Sequence, residues 1–376
     1  MDFALTETRQ MLQDTLRRFL AENYATETRN AIVESETGFS PEIWAQLAEL
    51  GIIGALFAED DGGFGGDGFD LAVVFEELGR AGVVEPFTDT GVLAGGLLAT
   101  LGSDTQKAHL EGVISGQTQL AFAHGEPQSR YDLNHVETRA TEASYSYTLS
   151  GHKSVVINGG NADYVIVSAR TSGGASDEDG ISLFLLPTDA QGLDIRTYPS
   201  IDGAQAAELV LRDCVAELLG EKDNAHGAIE YHAARTCAAL CAEALGAMEK
   251  AKDLTVDYLK TREQFGRPIG KFQALQHRMA DMLIEIEQVR SAVINLCGHL
   301  ESDRIERERN VSATKNLVGR VGRLVAEETI QMHGGIAMTR EYELAHIAKR
   351  MVMVDHRFGD TDHHLQRFIA FTKDAP

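Results

Sequence analysis

Positive charge is scarce in this sequence: 34 Lys and Arg stand against 57 Asp and Glu, a formal net charge of −23 over 376 residues. A field of that sign repels phosphate backbones and anionic lipid. It argues against nucleic-acid binding, and an anionic ligand needs local donors that override it. Long apolar runs are missing too, so neither a transmembrane helix nor membrane insertion is expected. The opening segment, Met1 to Glu7, has no basic stretch and no apolar stretch, the two parts of an export signal, so a cytoplasmic location is expected. Cysteine occurs four times, at Cys214, Cys237, Cys241 and Cys297, without a Cys-x-x-Cys pair. Neither a disulfide framework nor a zinc site follows from that spacing, and no metal is expected. Cys237 and Cys241 share one face of an Ala-rich segment, where free cysteine packs as a small buried hydrophobe.

What is present is ample core material. Apolar residues make up 43% and charged residues 24%, and the length suits two or three domains. Residues 1–117 carry helical periodicity, as in Leu5, Leu12, Leu16 and Phe19. Ser40-Pro41-Glu42 reads as an N-cap followed by proline at the first helical position. The run from Glu59 to Gly66 is rich in glycine, but no Gly-Lys-Ser/Thr follows it and acids surround it. An acidic tight loop suits it better than a phosphate cradle.

Residues 118–222 change to short Val, Ile, Tyr and Thr runs such as 144–149, 164–169 and 181–186, broken by Gly, Asn and Asp. No helix-length pattern separates them, so an antiparallel β domain is expected. Thr171 to Gly180 reads as a mobile loop. From 223 to 376 the chain is helical. Asp223 to Lys260 is a helix-forming run of 38 residues, roughly 57 Å if continuous. Phe272, Leu275, Met279, Met282, Ile286, Val289, Val293 and Leu296 then form a strict a/d seam. Helices of about 311–332 and 341–356 and a short one after Asp360 complete a bundle whose length predicts seams against other subunits. The fold class is α+β multidomain: an N-terminal helical domain, a middle antiparallel β domain, and a C-terminal bundle of long helices for oligomerisation.

That order, with the segments Arg262 to Gln273 (REQFGRPIGKFQ) and Gln331 to Ala337 (QMHGGIA), resembles the acyl-CoA dehydrogenase family over the whole chain. Within it, the look is similar to chains that pair with a large subunit, such as the small subunit of pimeloyl-CoA dehydrogenase. The resemblance implies an FAD flavoprotein oxidoreductase of fatty acid degradation that desaturates an acyl-CoA thioester. It also implies a tetramer, and electron-transfer flavoprotein as acceptor. Carried over by position, Arg262, Phe265, Gln273, Gln331, Gly334 and Gly335 reach the ADP half of an FAD held mainly by the neighbouring subunit. Arg is suited to pyrophosphate oxygens, and paired glycines to close backbone approach. On local grounds alone, Arg262 could instead pair with a nearby acid and Gly334-Gly335 merely end a helix.

Other family positions are lost. The catalytic base is a Glu in a Glu-Gly-Thr triplet, where this chain has Phe358-Gly359-Asp360. The alternative base position on the first long C-terminal helix is Thr236. Glu243, two turns on, is about 10 Å away. Asp360 is the one nearby replacement, and its ordinary role is a helix cap. The Thr-Glu-Pro that meets the flavin ring is Gly125-Glu126-Pro127 here. The Trp-Ile-Thr/Ser that covers the ring is replaced within Gly151-His152-Lys153-Ser154-Val155-Val156-Ile157-Asn158. Groups for the chain's own ring and proton abstraction are gone, while groups serving a neighbour's ADP remain. The expectation is a small non-catalytic partner, in a heterotetramer, of a large subunit that holds the ring and base. Three alternatives stay open: a homotetramer with Asp360 as base, an Asp/His metal site over 355–364, and a structural helical scaffold.

Overall fold

The computed structural model describes residues 5–143 and 146–373. Its helices are α1 (Glu7–Asn23), α2 (Thr26–Glu34), α3 (Pro41–Glu49), α4 (Gly68–Ala81), α5 (Gly96–Leu101), α6 (Asp104–Lys107), α7 (His109–Ile114), α8 (His226–Thr261), α9 (Gln273–Gly298), α10 (Arg304–His333), α11 (Glu343–Asp355) and α12 (Thr361–Lys373). Its strands are β1 (Leu120–Ala123), β2 (Arg139–Ala143), β3 (Ser146–Ile157), β4 (Tyr164–Arg170), β5 (Ile181–Pro187), β6 (Leu193–Pro199), β7 (Gln205–Leu219), β8 (Glu263–Gln264) and β9 (Arg267–Pro268). Of the run expected over 144–149, Ser144 and Tyr145 lie outside the described residues. Two compact units emerge. One comprises Met1–Ala31, Asp67–Val83 and Cys237–Pro376; the other comprises Ile32–Gly66 and Val84–Thr236.

In the second unit, β1–β7 form a seven-stranded sheet in the order β1-β4-β2-β3-β7-β5, with β6 on β7 and β4 also against β5. Most pairs are antiparallel, as expected. The exceptions are on β4, which runs parallel to β1, Leu120 opposite Tyr164, and to the end of β2, Arg139 opposite Arg170. Parallel pairing needs a crossover, and between β1 and β4 the β2–β3 hairpin supplies it. The core gathers Ala121, Leu149, Val165, Phe184, Leu209 and Leu211. Residues 171–180 are tied down rather than free. The Arg170 guanidinium, 3% exposed, donates to the carbonyls of Asn134, Ala175, Asp177 and Asp179 at 2.8–3.0 Å. A lone buried arginine collecting carbonyls leaves no periodic trace in sequence. The glycine-rich run closes on itself: a Cβ at Gly63 would lie 2.2 Å from the Phe57 carbonyl oxygen. Gly63 and Gly66 are there for close backbone packing, since a Cβ at Gly66 would lie 3.0 Å from the Ala58 nitrogen.

In the first unit, Thr and Asp caps set helix starts. Asp67 and Asp70 form a reciprocal capping box on α4, and Gly82 ends it in the left-handed conformation. Arg9 bonds Asp70 at 2.8 Å and Arg17 bonds Glu77 at 2.9 Å, fastening α1 to α4. Where α4 meets α8, glycines let the backbones touch. A Cβ at Gly79 would lie 1.9 Å from the Glu243 carbonyl oxygen, and one at Gly246 would lie 1.8 Å from that of Glu76. The helix α8 runs 36 residues, about 54 Å. On α9, Met279, Met282, Ile286, Val289, Val293 and Leu296 are buried, six of the eight seam positions, while Leu283 and Ile284 stay exposed. The helix α10 begins at Arg304, earlier than expected, because Asp303 caps it with a 3.1 Å bond from the Glu306 amide. Its first turns are charged and so hide the apolar period; Glu308 is buried between Arg307 at 2.9 Å and Arg367 at 2.5 Å. All four cysteines are buried, and none is in a disulfide.

Candidate functional site

The sequence motifs fall in three places. The first lies on β3 and β7. Lys153 is fully buried, and its ammonium donates to Glu126 Oε1 at 2.8 Å, Ser168 Oγ at 3.1 Å and the His124 carbonyl at 3.1 Å. Burial pushes the Lys153 ammonium down to about 8, against the pull of Glu126. Burial would raise the Glu126 carboxyl, but Lys153 and the Thr138 amide outweigh it and hold the group below its ordinary range. The pair therefore serves to lock the loop at 124–127 onto β3.

Two residues further along β3 lies Val155. It has φ +54° and is 62% exposed. A β-branched residue in the left-handed region is strained. Beside it, Glu208 on β7 accepts from the hydroxyls of Ser154 and Tyr198 and from His152 Nε2, each at 2.8 Å, and from the Val155 amide at 3.4 Å. Burial opposes its ionisation, but these donors keep Glu208 below the ordinary carboxylate range. The Ser154, Tyr198 and His152 donors are thus taken by a carboxylate of this chain. No sequence signal reveals it, because Glu208 lies 54 positions from Ser154.

The second place is the turn between α11 and α12. Phe358 has φ +55° and Gly359 φ +115°. The turn is pinned from below. Lys315, 1% exposed, donates to the Val354 carbonyl at 2.6 Å, His364 Nε2 to that of Phe358 at 3.0 Å, and Asn316 to that of Thr361 at 2.9 Å. Asp360 Oδ1 accepts from the His363 amide at 2.8 Å, which is the helix cap. Asp355 accepts from Thr361 at 3.0 Å. These bonds occupy Asp355, Asp360 and His364 of the Asp/His cluster. Among the described residues, no group of three or more His, Cys, Asp or Glu side chains is placed to hold a metal ion. The other base positions are also occupied. Thr236 is buried and donates to the His232 carbonyl at 2.7 Å, and Glu243 is buried and paired with Arg350.

The third place holds all six cofactor candidates. Arg262, Phe265, Gln273, Gln331, Gly334 and Gly335 are all exposed, Phe265 at 91%. The segment expected as a plain turn is a hairpin, β8 against β9, closed by Phe265 (φ +54°) and Gly266 (φ +75°). Two positive φ values mark the tight hairpin turn that prefers Asn-Gly. Arg267 lies over the Phe272 ring at 4.3 Å, and Phe272 meets Phe265 edge-on at 6.2 Å. The hairpin roots at α8, since the Arg262 amide donates to the Tyr258 carbonyl at 2.8 Å. Tyr258 stacks on His333 at 4.5 Å, and His333 directly precedes Gly334. The two distant motifs are thereby brought to one end of the bundle.

Nothing within 4 Å would meet a Cβ at Gly266, Gly334 or Gly335. Gly266 and Gly334 are explained by their positive φ values of +75° and +70°; Gly335 is not. The segment is also locally basic: Lys260, Arg262, Arg267 and Lys271 against Glu263 alone, on a chain of charge −23. An exposed apolar ring, a basic arm and bare glycine backbone fit the adenosine diphosphate portion of FAD.

Comparison with known proteins is consistent across the chain. Models for the N-terminal, middle and C-terminal domains of acyl-CoA dehydrogenase match residues 6–117, 121–214 and 228–369. The short-chain specific acyl-CoA dehydrogenase of Megasphaera elsdenii is 31% identical over 366 residues, covering 92% of each chain. The three-dimensional structure of butyryl-CoA dehydrogenase from Megasphaera elsdenii superposes with a TM-score of 0.90 at 28% identity, over 99% of this chain and 100% of that one. A variant of the Tcur3481-Tcur3483 steroid ACAD superposes with a TM-score of 0.88 at 29% identity, over 98% of both chains.

Proposed function

The chain belongs to the acyl-CoA dehydrogenase family, FAD-dependent oxidoreductases acting on CH–CH groups, and we propose that within it this chain is the small, non-catalytic partner of a hetero-oligomer. One observation carries this reading. The exposed set at Arg262, Phe265, Gln273, Gln331, Gly334 and Gly335 has little use inside the chain, whereas the chain's own ring region is filled by Glu208. Arg262 would hold pyrophosphate oxygens of a neighbour's FAD, Phe265 would pack against that neighbour, and Gly334-Gly335 would admit its backbone-facing side. FAD supplies the hydride acceptor of the family's reaction. The α-proton needs a carboxylate, and Phe358 offers none, so the base would come from the partner chain. The paired designation of Tcur3481-Tcur3483 supports an assembly of two kinds of chain. The relatives are about the same length as this chain, so the smaller role is argued from the site and not from size. Electron-transfer flavoprotein as acceptor and a cytoplasmic setting complete the reading; no helix of the described residues is long and apolar enough to cross a membrane.

The homotetramer with Asp360 as base is the second reading, and the cap bond from the His363 amide weighs against it. Flavin absorbance per chain separates the two. A lone chain that is colourless, and a co-expressed pair that holds about one FAD per two chains, supports the completing subunit. About one FAD per lone chain overturns it.

A further inference from the structure

Of the groups at the proposed ADP end, one buried side chain links both motifs. His333 is 4% exposed. Its Nδ1 lies 2.8 Å from the Thr329 carbonyl. A carbonyl only accepts, so Nδ1 carries the proton and Nε2 is the bare nitrogen. Nε2 lies 3.1 Å from the Tyr342 hydroxyl, which therefore donates to it. One face of the imidazole stacks on Tyr258 at 4.5 Å with 26° between planes, and Tyr342 packs at 5.4 Å. Tyr258 carries the hairpin, through its carbonyl and the Arg262 amide, and the Ile269 amide returns to the Arg262 carbonyl at 2.8 Å. Gly334, next to His333, has φ +70° and donates its amide to the Ile330 carbonyl, and a Cβ there would meet nothing within 4 Å.

We propose that His333, held by Tyr258 and Tyr342, is a positioning residue that sets the Gly334-Gly335 backbone against the Arg262 hairpin, so that the two motifs present one surface to FAD. The proposal rests on the ADP-binding reading given above. The imidazole has three fixed attachments: a carbonyl on its own helix, the ring of Tyr258 on α8, and the hydroxyl of Tyr342 at the start of α11. Gly334 has one backbone bond of its own, from its amide to the Ile330 carbonyl, and neither glycine has a side chain to add another. What that bond leaves open is set by His333, and the hairpin's direction by Tyr258.

The test uses the FAD-loaded assembly and the lone chain together. Tyr342→Phe removes one hydrogen bond and keeps the ring; His333→Asn keeps the donor to Thr329 and removes the stack. Both variants are expected to raise amide exchange at Gly334 and Gly335 in the lone chain, and to speed FAD loss from the assembly about tenfold, read by the recovery of free-flavin fluorescence. His333→Gln, which restores an acceptor near Tyr342, is expected to recover part of the FAD retention. If His333→Asn fails to fold, Tyr342→Phe alone decides. Where Arg262→Ala speeds FAD loss, a wild-type rate in Tyr342→Phe overturns the proposal, whatever the exchange rates do. Arg262→Ala is the control: if it too leaves FAD loss unchanged, the ADP-binding reading is what has failed, and exchange at the glycines still reports whether His333 orders them.

Discussion

Replacing Phe265 by Asn separates what the hairpin needs from what a neighbour needs. Phe265 occupies a left-handed conformation at φ +54°, followed by Gly266 at φ +75°. A non-glycine residue there costs roughly 1–2 kcal/mol, least for Asn, and Asn-Gly is the preferred pair for this turn. Against that stands the edge-on contact with Phe272 at 6.2 Å, worth about 0.5 kcal/mol at so exposed a site. The ring is 91% exposed, so no other contact is lost. The lone Phe265→Asn chain should therefore be as stable as wild type or up to about 1 kcal/mol more stable, as read by calorimetric melting. Docking should respond with the opposite sign. Burying a Phe side chain contributes about 1.5–3 kcal/mol, and 1.4 kcal/mol is tenfold, so subunit association or FAD retention should weaken by roughly 10- to 150-fold. Sedimentation velocity and flavin release read this term. A lone chain several degrees less stable, with association unchanged, would show that Phe265 serves its own chain and would refute the reasoning.

Gly335→Ala meets no atom within 4 Å and no positive φ, so the lone chain should melt unchanged while the assembly loses FAD faster; equal FAD retention would mean that nothing approaches that backbone. Lys153→Met leaves Glu126 as an unpaired carboxylate, and urea unfolding should show a loss of about 3–5 kcal/mol, with the double change Lys153→Met and Glu126→Leu recovering much of it. Asp360→Ala should cost about 1 kcal/mol in unfolding experiments, as a lost cap, and leave turnover of the assembly unaltered; a large fall in turnover would make Asp360 a base. Burial holds His124 and His232 down to about 3 and His364 down to about 2, so all three stay neutral in the folded chain while the unfolded chain protonates near 6.5. The unfolded state then binds more protons, so stability falls as pH drops below about 6.5 and continues to fall toward the folded values. Near pH 5, unfolding should take up about three protons from these groups, and His232→Gln should reduce the measured slope by about one.

The order of helical, β and helical segments was legible in the sequence because each declares itself locally, by a period of 3.6 or 2 and by caps such as Ser40. The α9 seam was legible for the same reason: Met279, Met282, Ile286, Val289, Val293 and Leu296 point one way on any helix. The six exposed cofactor candidates could be named because each motif is contiguous and resembles a family segment. What tertiary structure alone decided lies in contacts between distant positions. The parallel pairing of β1 with β4 depends on where a crossover returns, which no local pattern encodes. Arg170 gathers the loop at 171–180 through carbonyls, and every residue has a carbonyl. Glu208 takes the donors of Ser154 and Val155 across a strand pair, and Tyr258, His333 and Tyr342 meet from three helices. Periodicity fixes the face on which a residue lies; only packing fixes which other residue it meets there, because that depends on the separation and crossing of whole elements.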